Sequence, residues 1–193
     1  MKEKIQKLLL STKRDGMKTL LVWMDLNGFY SSPCSTQYHL CKEGGLAEHS
    51  LNVFDVMDKL AGTMLGEKEH DEIINSIIIC SLLHDIGKAG QFGKCGYVEN
   101  YLSKKDKDGN PIRSEAKPYV TNSDLLNVPH EIRSLAIISK YIDLTEEEQH
   151  AILYHNGKYT HMGYDLKETP LQMLLHFADL WCSRVTEVEE QPE

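Results

Sequence analysis

The segment that most restricts the fold is Ile77-Ile78-Ile79-Cys80-Ser81-Leu82-Leu83-His84-Asp85. Seven mostly apolar residues in a row belong in a core, and the surrounding spacing predicts a helix over about 71–84 that stops by Gly87 or Gly90. The run then delivers an imidazole and a carboxylate into the same interior. An ionised aspartate is costly to bury unpaired, and metal coordination would remove that cost. Read by itself, a His-Asp dipeptide at a helix end is also explained by contacts with neighbouring backbone.

The rest of the chain punctuates into further helices. Ile5, Leu8 and Leu9 recur at helical spacing within residues 3–13, and 17–26 forms a second helix after Gly16. The N-terminal stretch mixes charges among its apolar positions and has no small-residue cleavage site, so it is expected to be a helix and not a secretory signal. Residues 28–45 read as a loop rich in Gly, Ser and Pro. Leu46, Val53, Val56, Met57 and Leu60 share one face of a helix over 46–60. Residues 91–128 change character, with a strand over 97–102 that could pair with 117–120 around Asp108-Gly109. Helices resume at 130–141, at Thr145 with Glu148 as a capping box and onward to about His155, and at about 171–185. The expected fold is mainly α, one domain over 1–193 with six or seven helices, a core at about 39–185 and an inserted loop or β-hairpin at 91–128.

Composition narrows the function. The net charge is −8 with histidines neutral. That balance repels duplex nucleic acid, and the only lysine-rich stretch, residues 103–108, is broken by acids. A small phosphate ester is disfavoured less, because bound divalent cations would reverse the potential inside a cleft. Five scattered cysteines with no C-x-x-C pair point to a reducing, cytoplasmic setting and not to a disulfide or zinc-ribbon framework. No apolar run reaches the roughly 18 residues of a membrane span.

Nine histidines make the chemistry. His49 lies on an amphipathic helix, His84 ends the apolar helix, His130 opens one, His155 ends one, and His176 and Asp179 share the last. Imidazole and carboxylate together suit Zn, Mn, Fe, Ni, Co or Mg. His130 and His155 also have ordinary roles at helix termini. His70, His150 and His161 read as surface residues.

Three segments in order, Gly44-Gly45-Leu46-Ala47-Glu48-His49, Leu82-Leu83-His84-Asp85-Ile86-Gly87-Lys88 and Leu175-His176-Phe177-Ala178-Asp179, resemble the HD-domain metal-dependent phosphohydrolase superfamily over about residues 39–183. The layout is similar to small HD-domain proteins of phages and mobile elements, and the Gly44-Gly45-Leu46 segment to HD-type 3′-to-5′ exoribonucleases. The resemblance implies a helical bundle in which His49, His84, Asp85 and Asp179 hold one metal. Asp85 would bridge to a second metal held with His130 and His155. Lys88, three residues past the doublet, and Arg133 become candidates to grip phosphate, and His39 to contact substrate or leaving group. His176 would line the site or support it, and His130 would also help orient the phosphate.

The implied activity is hydrolysis of a small phosphate ester, a nucleotide or deoxynucleotide, through attack by a metal-bound hydroxide with two divalent ions. Two other readings stay open: an HD-type nuclease or phosphodiesterase on single-stranded RNA or DNA, and a non-catalytic metal- or nucleotide-binding module. A homodimer is compatible with either. Residues 91–128 would form a lid, with Tyr97, Tyr101, Arg113 and Lys117 as candidate base or phosphate contacts. No phosphate-binding glycine loop, dinucleotide fingerprint or nucleophile elbow occurs.

Overall fold

The computed structural model describes residues 1–157 and 167–188. The apolar run forms the second half of a helix, α4 (Glu67–Leu83). Residues 67–76 of that helix are exposed or half-buried, whereas all seven from Ile77 to Leu83 are buried, so it turns from a surface element into a core element along its length.

The other helices gather around it. In chain order they are α1 (Lys2–Ser11), α2 (Met17–Leu26), α3 (Gly45–Leu65), α5 (His130–Ile138), α6 (Glu146–Leu153) and α7 (Pro170–Trp181). The fold is therefore mainly α, with seven α-helices among the described residues. The bounds of α2 coincide with those predicted from spacing, while α3 runs one turn beyond its expected end, to Gly66 with φ +84°. α4 packs on α3, α1, α6 and α7, and one continuous core runs from Ile5, Leu9 and Met24 through Met57 and Leu82 to Ile152 and Leu175. None of the helices described is long and apolar enough to cross a membrane.

The capping box at α6 is present: Glu148 N donates to Thr145 Oγ1 at 3.2 Å and Thr145 N donates to Glu148 Oε2 at 2.9 Å. The remaining oxygen of Glu148, itself buried, accepts from Arg14 Nη2 at 2.6 Å and Ser76 Oγ at 2.8 Å. One carboxylate thus caps α6 and ties it to α4 and to the turn after α1.

Residues 90–121 form antiparallel ribbons: β1 (Gly90–Gln91) with β2 (Lys94–Cys95), β3 (Tyr97–Glu99) with β6 (Tyr119–Thr121), and β4 (Tyr101–Lys105) with β5 (Pro111–Arg113). The expected single strand over 97–102 is divided at Asn100. Its backbone N–H donates to Pro118 O at 2.9 Å and its carbonyl accepts from Ser114 N at 2.8 Å. The expected pairing with 117–120 therefore holds for the inner half, Val98 opposite Val120, and the outer half pairs with 111–113 instead. Asp106 closes the tip by accepting from the backbone N–H groups of Asp108 and Asn110.

Candidate metal centre

The buried end of α4 supplies the first two groups. His84 continues the helical hydrogen bonding, Asp85 leaves it at φ −104° and ψ 8°, and a 3-10 turn follows over Ile86–Ala89. The His84 Nδ1–H donates to Ser81 O at 2.9 Å. A carbonyl can only accept, so the neutral ring carries its lone pair on Nε2, 3.4 Å from Asp85 Oδ2.

His49 comes from the first turns of α3. That turn can form because Gly45 lies against the preceding loop: a Cβ there would stand 2.0 Å from Leu40 O. Leu40 itself adopts φ +45°, and this bend lays the 34–40 loop across the start of the helix. His49 is fully buried. Its Nδ1 faces Glu187 Oε2 at 2.9 Å, and its Nε2 lies 3.1 Å from Asp179 Oδ1 and 3.6 Å from Asp85 Oδ2.

Two further histidines approach from the opposite side. A Cβ on Gly87 would stand 2.5 Å from His130 O and 2.8 Å from Ser134 N, and Gly87 N donates to Ser134 Oγ at 2.9 Å. This close approach seats α5 directly over the doublet. His130 Nε2 is then 3.2 Å from Asp85 Oδ1, and His155 Nε2 is 3.7 Å from the same oxygen. The His155 Nδ1–H donates to Ile152 O at 2.7 Å, repeating the His84 arrangement, and Asn156 Nδ2 stands 3.2 Å from its Nε2.

Asp179 projects from α7. Beyond Trp181 the helix widens into a π-helical turn over Cys182–Thr186, closed by Glu187 N donating to Cys182 O at 2.9 Å. The wider turn brings Glu187 onto His49, where Asn52 Nδ2 also donates to its Oε1 at 2.9 Å.

The donor set fits a divalent cation. His49 Nε2, His84 Nε2 and Asp85 Oδ1 are buried side-chain atoms with no hydrogen-bond partner; the two imidazole nitrogens face Asp85 Oδ2, and Oδ1 faces His130 and His155. One donor atom each of His49, His84 and Asp179 lies within 4.8 Å of the others, and the same is true of His84, Asp85 and His155. Three of the imidazoles are held from behind by a carbonyl or a carboxylate, the usual support for a metal-ligating histidine. Ring centroids follow one another at 5.1 Å (His39–His49), 5.4 Å (His49–His84), 4.9 Å (His84–His155) and 5.2 Å (His155–His130).

The charges agree with that fit. Burial would raise the Asp85 carboxyl, but the Lys88 ammonium and the His84 ring outweigh it and hold it well below the usual carboxylate range. Asp179 likewise resists the upward push of burial, through His49, and is held low. Burial opposes a charge on His49, yet Cys34 and the Asp179 and Glu187 carboxylates favour a cationic ring and raise it well above its ordinary value. A metal cation at Nε2 satisfies the same field that otherwise attracts a proton. Burial pulls His155 down to about 4, leaving it neutral and able to ligate.

The sequence candidates are thus brought together with few exceptions. His49, His84, Asp85, His130, His155 and Asp179 surround one interior, Lys88 Nζ meets Asp85 Oδ2 at 2.6 Å, and His39 borders His49. Arg133 is engaged elsewhere: its guanidinium donates to Gln91 Oε1 at 3.1 Å and Leu126 O at 2.8 Å, bracing the loop before α5. His176 supports rather than lines the centre, its Nδ1–H donating to His155 O at 2.7 Å. Of the lid candidates, Tyr97 is half-buried beside Lys88, whereas Tyr101 bonds Glu99 and Arg113 stacks on Tyr119. Lys117, another of these candidates, donates through its backbone N–H to Ser114 Oγ. His70, expected at the surface, is half-buried and bonded to Asp58 at 2.8 Å, and His150 is half-buried beside Tyr154. His161 lies outside the described residues.

A cavity of about 230 Å³ opens beside His130, with Gly96, Tyr97, Thr121, Asn127 and Arg133 in its wall. A groove of about 930 Å³ between α3 and α7, floored by Leu60, Phe177 and Trp181, carries none of the cluster residues. Sequence reasoning missed Glu187, Asn52 and Cys34, which reach the centre only through the tertiary fold. No family model, curated protein or solved structure matches the chain.

Proposed function

We propose that the chain is a metal-dependent phosphohydrolase of a small phosphate ester, with nucleotides and deoxynucleotides as the substrate class. The observation that carries this reading is the convergence of four imidazole Nε2 atoms on Asp85 and Asp179. The resemblance of the three motif segments to the HD-domain superfamily supports it. His49, His84, Asp85 and Asp179 would hold one cation, and Asp85, His130 and His155 a second. Bound there, divalent cations would make a water nucleophilic near neutral pH and neutralise charge on the phosphoryl oxygens.

The protein's own groups do the positioning. The Nδ1–H bonds of His84 to Ser81 O and of His155 to Ile152 O, with Glu187 behind His49, fix which nitrogen faces inward. Lys88, kept charged by Asp85 against the effect of burial, is a point charge for a phosphate oxygen at the edge of the cluster. The cavity beside His130 has room for part of a small ester and favours it over a polymer track. Positioning and electrostatics of this kind carry most of phosphoryl transfer.

The test is phosphate release from a panel of nucleotides with added Mn, Ni, Co or Mg. Release is expected with at least one metal and is expected to vanish in Asp85→Ala. No release with any metal, or undiminished release by Asp85→Ala, would refute the proposal.

A further inference from the structure

Beside His49 stands a second group of donors, of which the proposed reaction uses only Glu187, and that one only to orient the His49 ring. Cys34 Sγ lies 3.3 Å from His39 Nε2, and His39 Nε2 lies 4.0 Å from Glu187 Oε2. Donor atoms of Cys34, His39 and His49 fall within 4.8 Å of one another. Cys34 is fully buried, Glu187 nearly so, and the His39 side chain is 16% exposed.

We infer that Cys34, His39 and Glu187 form a second cation site, of the thiolate-bearing type that selects zinc-class ions, joined to the histidine–aspartate centre through His49. The donor types agree with such an ion: one thiolate, one imidazole and one carboxylate are the ligands that borderline-soft divalent cations take, whereas Mg takes oxygen. The separations agree as well. Tetrahedral bonds of about 2.0–2.3 Å place neighbouring donors roughly 3.3–3.6 Å apart. The observed 3.3 and 4.0 Å bracket that span.

The loop presents its pair of donors in a fixed arrangement. Cys34 N donates to Leu40 O at 3.1 Å, Ser35 Oγ donates to His39 O at 2.9 Å, and Tyr38 N donates to Ser35 Oγ at 2.9 Å. These bonds close a Cys-x4-His loop that lies against Gly45 at the start of α3. Glu187 is suited to serve both centres. Its Oε1 accepts from Asn52 at 2.9 Å, His49 Nδ1 lies between its two oxygens at 3.1 Å (Oε1) and 2.9 Å (Oε2), and Oε2, which has a second lone pair, is also the oxygen that faces His39 at 4.0 Å. Binding converts the Cys34 thiol to a thiolate, and the displaced proton passes to solvent. The second site does not depend on which reaction the first centre catalyses.

Cobalt(II) chloride added to the full chain tests the assignment by absorption spectroscopy and elemental analysis. A near-ultraviolet thiolate-to-cobalt charge-transfer band is expected in the parent protein. Cys34→Ser should abolish it and lower bound cobalt by one ion per chain, and His39→Gln should weaken it. Asp85→Ala should keep it, which separates this site from the proposed hydrolytic centre. If Cys34→Ser loses its helical circular dichroism, His39→Gln and Cys34→Ala decide in its place. Cobalt binding with no such band, or a band that survives loss of Cys34, overturns the assignment and leaves the pair as an S–H···N hydrogen bond.

Discussion

Lys88 Nζ sits 2.6 Å from Asp85 Oδ2, closer than any imidazole approaches that carboxylate. The ammonium therefore holds the oxygen that a bridging cation would need. Placing a metal there repels Lys88 and frees it for an incoming anion.

Lys88→Met should accordingly separate two quantities that usually fall together. Metal affinity is expected to hold or rise several-fold, because a competing positive charge has gone. The kcat/KM for a phosphate ester is expected to fall by about 10–100-fold, as for other groups that support a site without ligating the metal. Calorimetric metal titration and steady-state kinetics on one preparation check both. Equal losses in the two would show that Lys88 merely holds the structure.

Gly87→Ala is expected to damage the centre more than the fold. The new Cβ meets backbone at 2.5 Å (His130 O) and 2.8 Å (Ser134 N), so α5 must move away from the 3-10 turn. Strain of this kind costs about 1–3 kcal/mol. His130 moves with α5, so metal affinity should drop at least about tenfold. Thermal unfolding with and without metal measures the two effects; a metal-independent shift alone would place the damage in the fold.

Glu148 predicts non-additive losses of stability. Arg14→Ala leaves a fully buried carboxylate without its cation and is expected to cost about 3 kcal/mol. Thr145→Ala removes the capping partner and should cost about 1 kcal/mol. Both act on one residue, Arg14→Ala at the Glu148 carboxylate and Thr145→Ala at its backbone N–H, so the double variant should depart from the sum in urea unfolding.

A stability change with pH is expected at His70, which faces Asp58 at 2.8 Å and Asp71 at 3.3 Å. The hydrogen bond to Asp58 raises its pKa above the ordinary 6.5. A raised folded value means that the stabilisation is complete below the unfolded pKa and disappears as pH rises through the folded one. His70→Gln should thus lower the unfolding midpoint at about pH 5 and not at about pH 9. The imidazole is partly exposed, so the difference should be small, about 0.2–1 kcal/mol, and should shrink in salt.

How much of this was legible in the sequence depended on distance along the chain. Local rules gave the bounds of α2 and the Thr145–Glu148 box, because spacing and capping are settled within a few residues. The apolar run named the buried helix and its polar end. Pairing within 97–121 was only half legible, since Pro118 and Asn100 redirect the outer strand through hydrogen bonds that alternation does not reveal. Glu187 is 138 positions from His49 and showed no signal of its own, and Cys34 looked like one scattered cysteine among five. Arg133 had the right charge, but its guanidinium is committed to Gln91 and to the Leu126 carbonyl.

The π-helical turn over Cys182–Thr186 makes spacing there as consequential as residue identity. Closing these five residues as ordinary α-helix, with none removed, would rotate everything after them by about 100° about the axis. Glu187 would leave His49 without any change to a ligand. Substitutions that favour ordinary α-helix over these five positions should therefore disturb the centre as substitutions of its histidines do, although none of the five is among its proposed ligands.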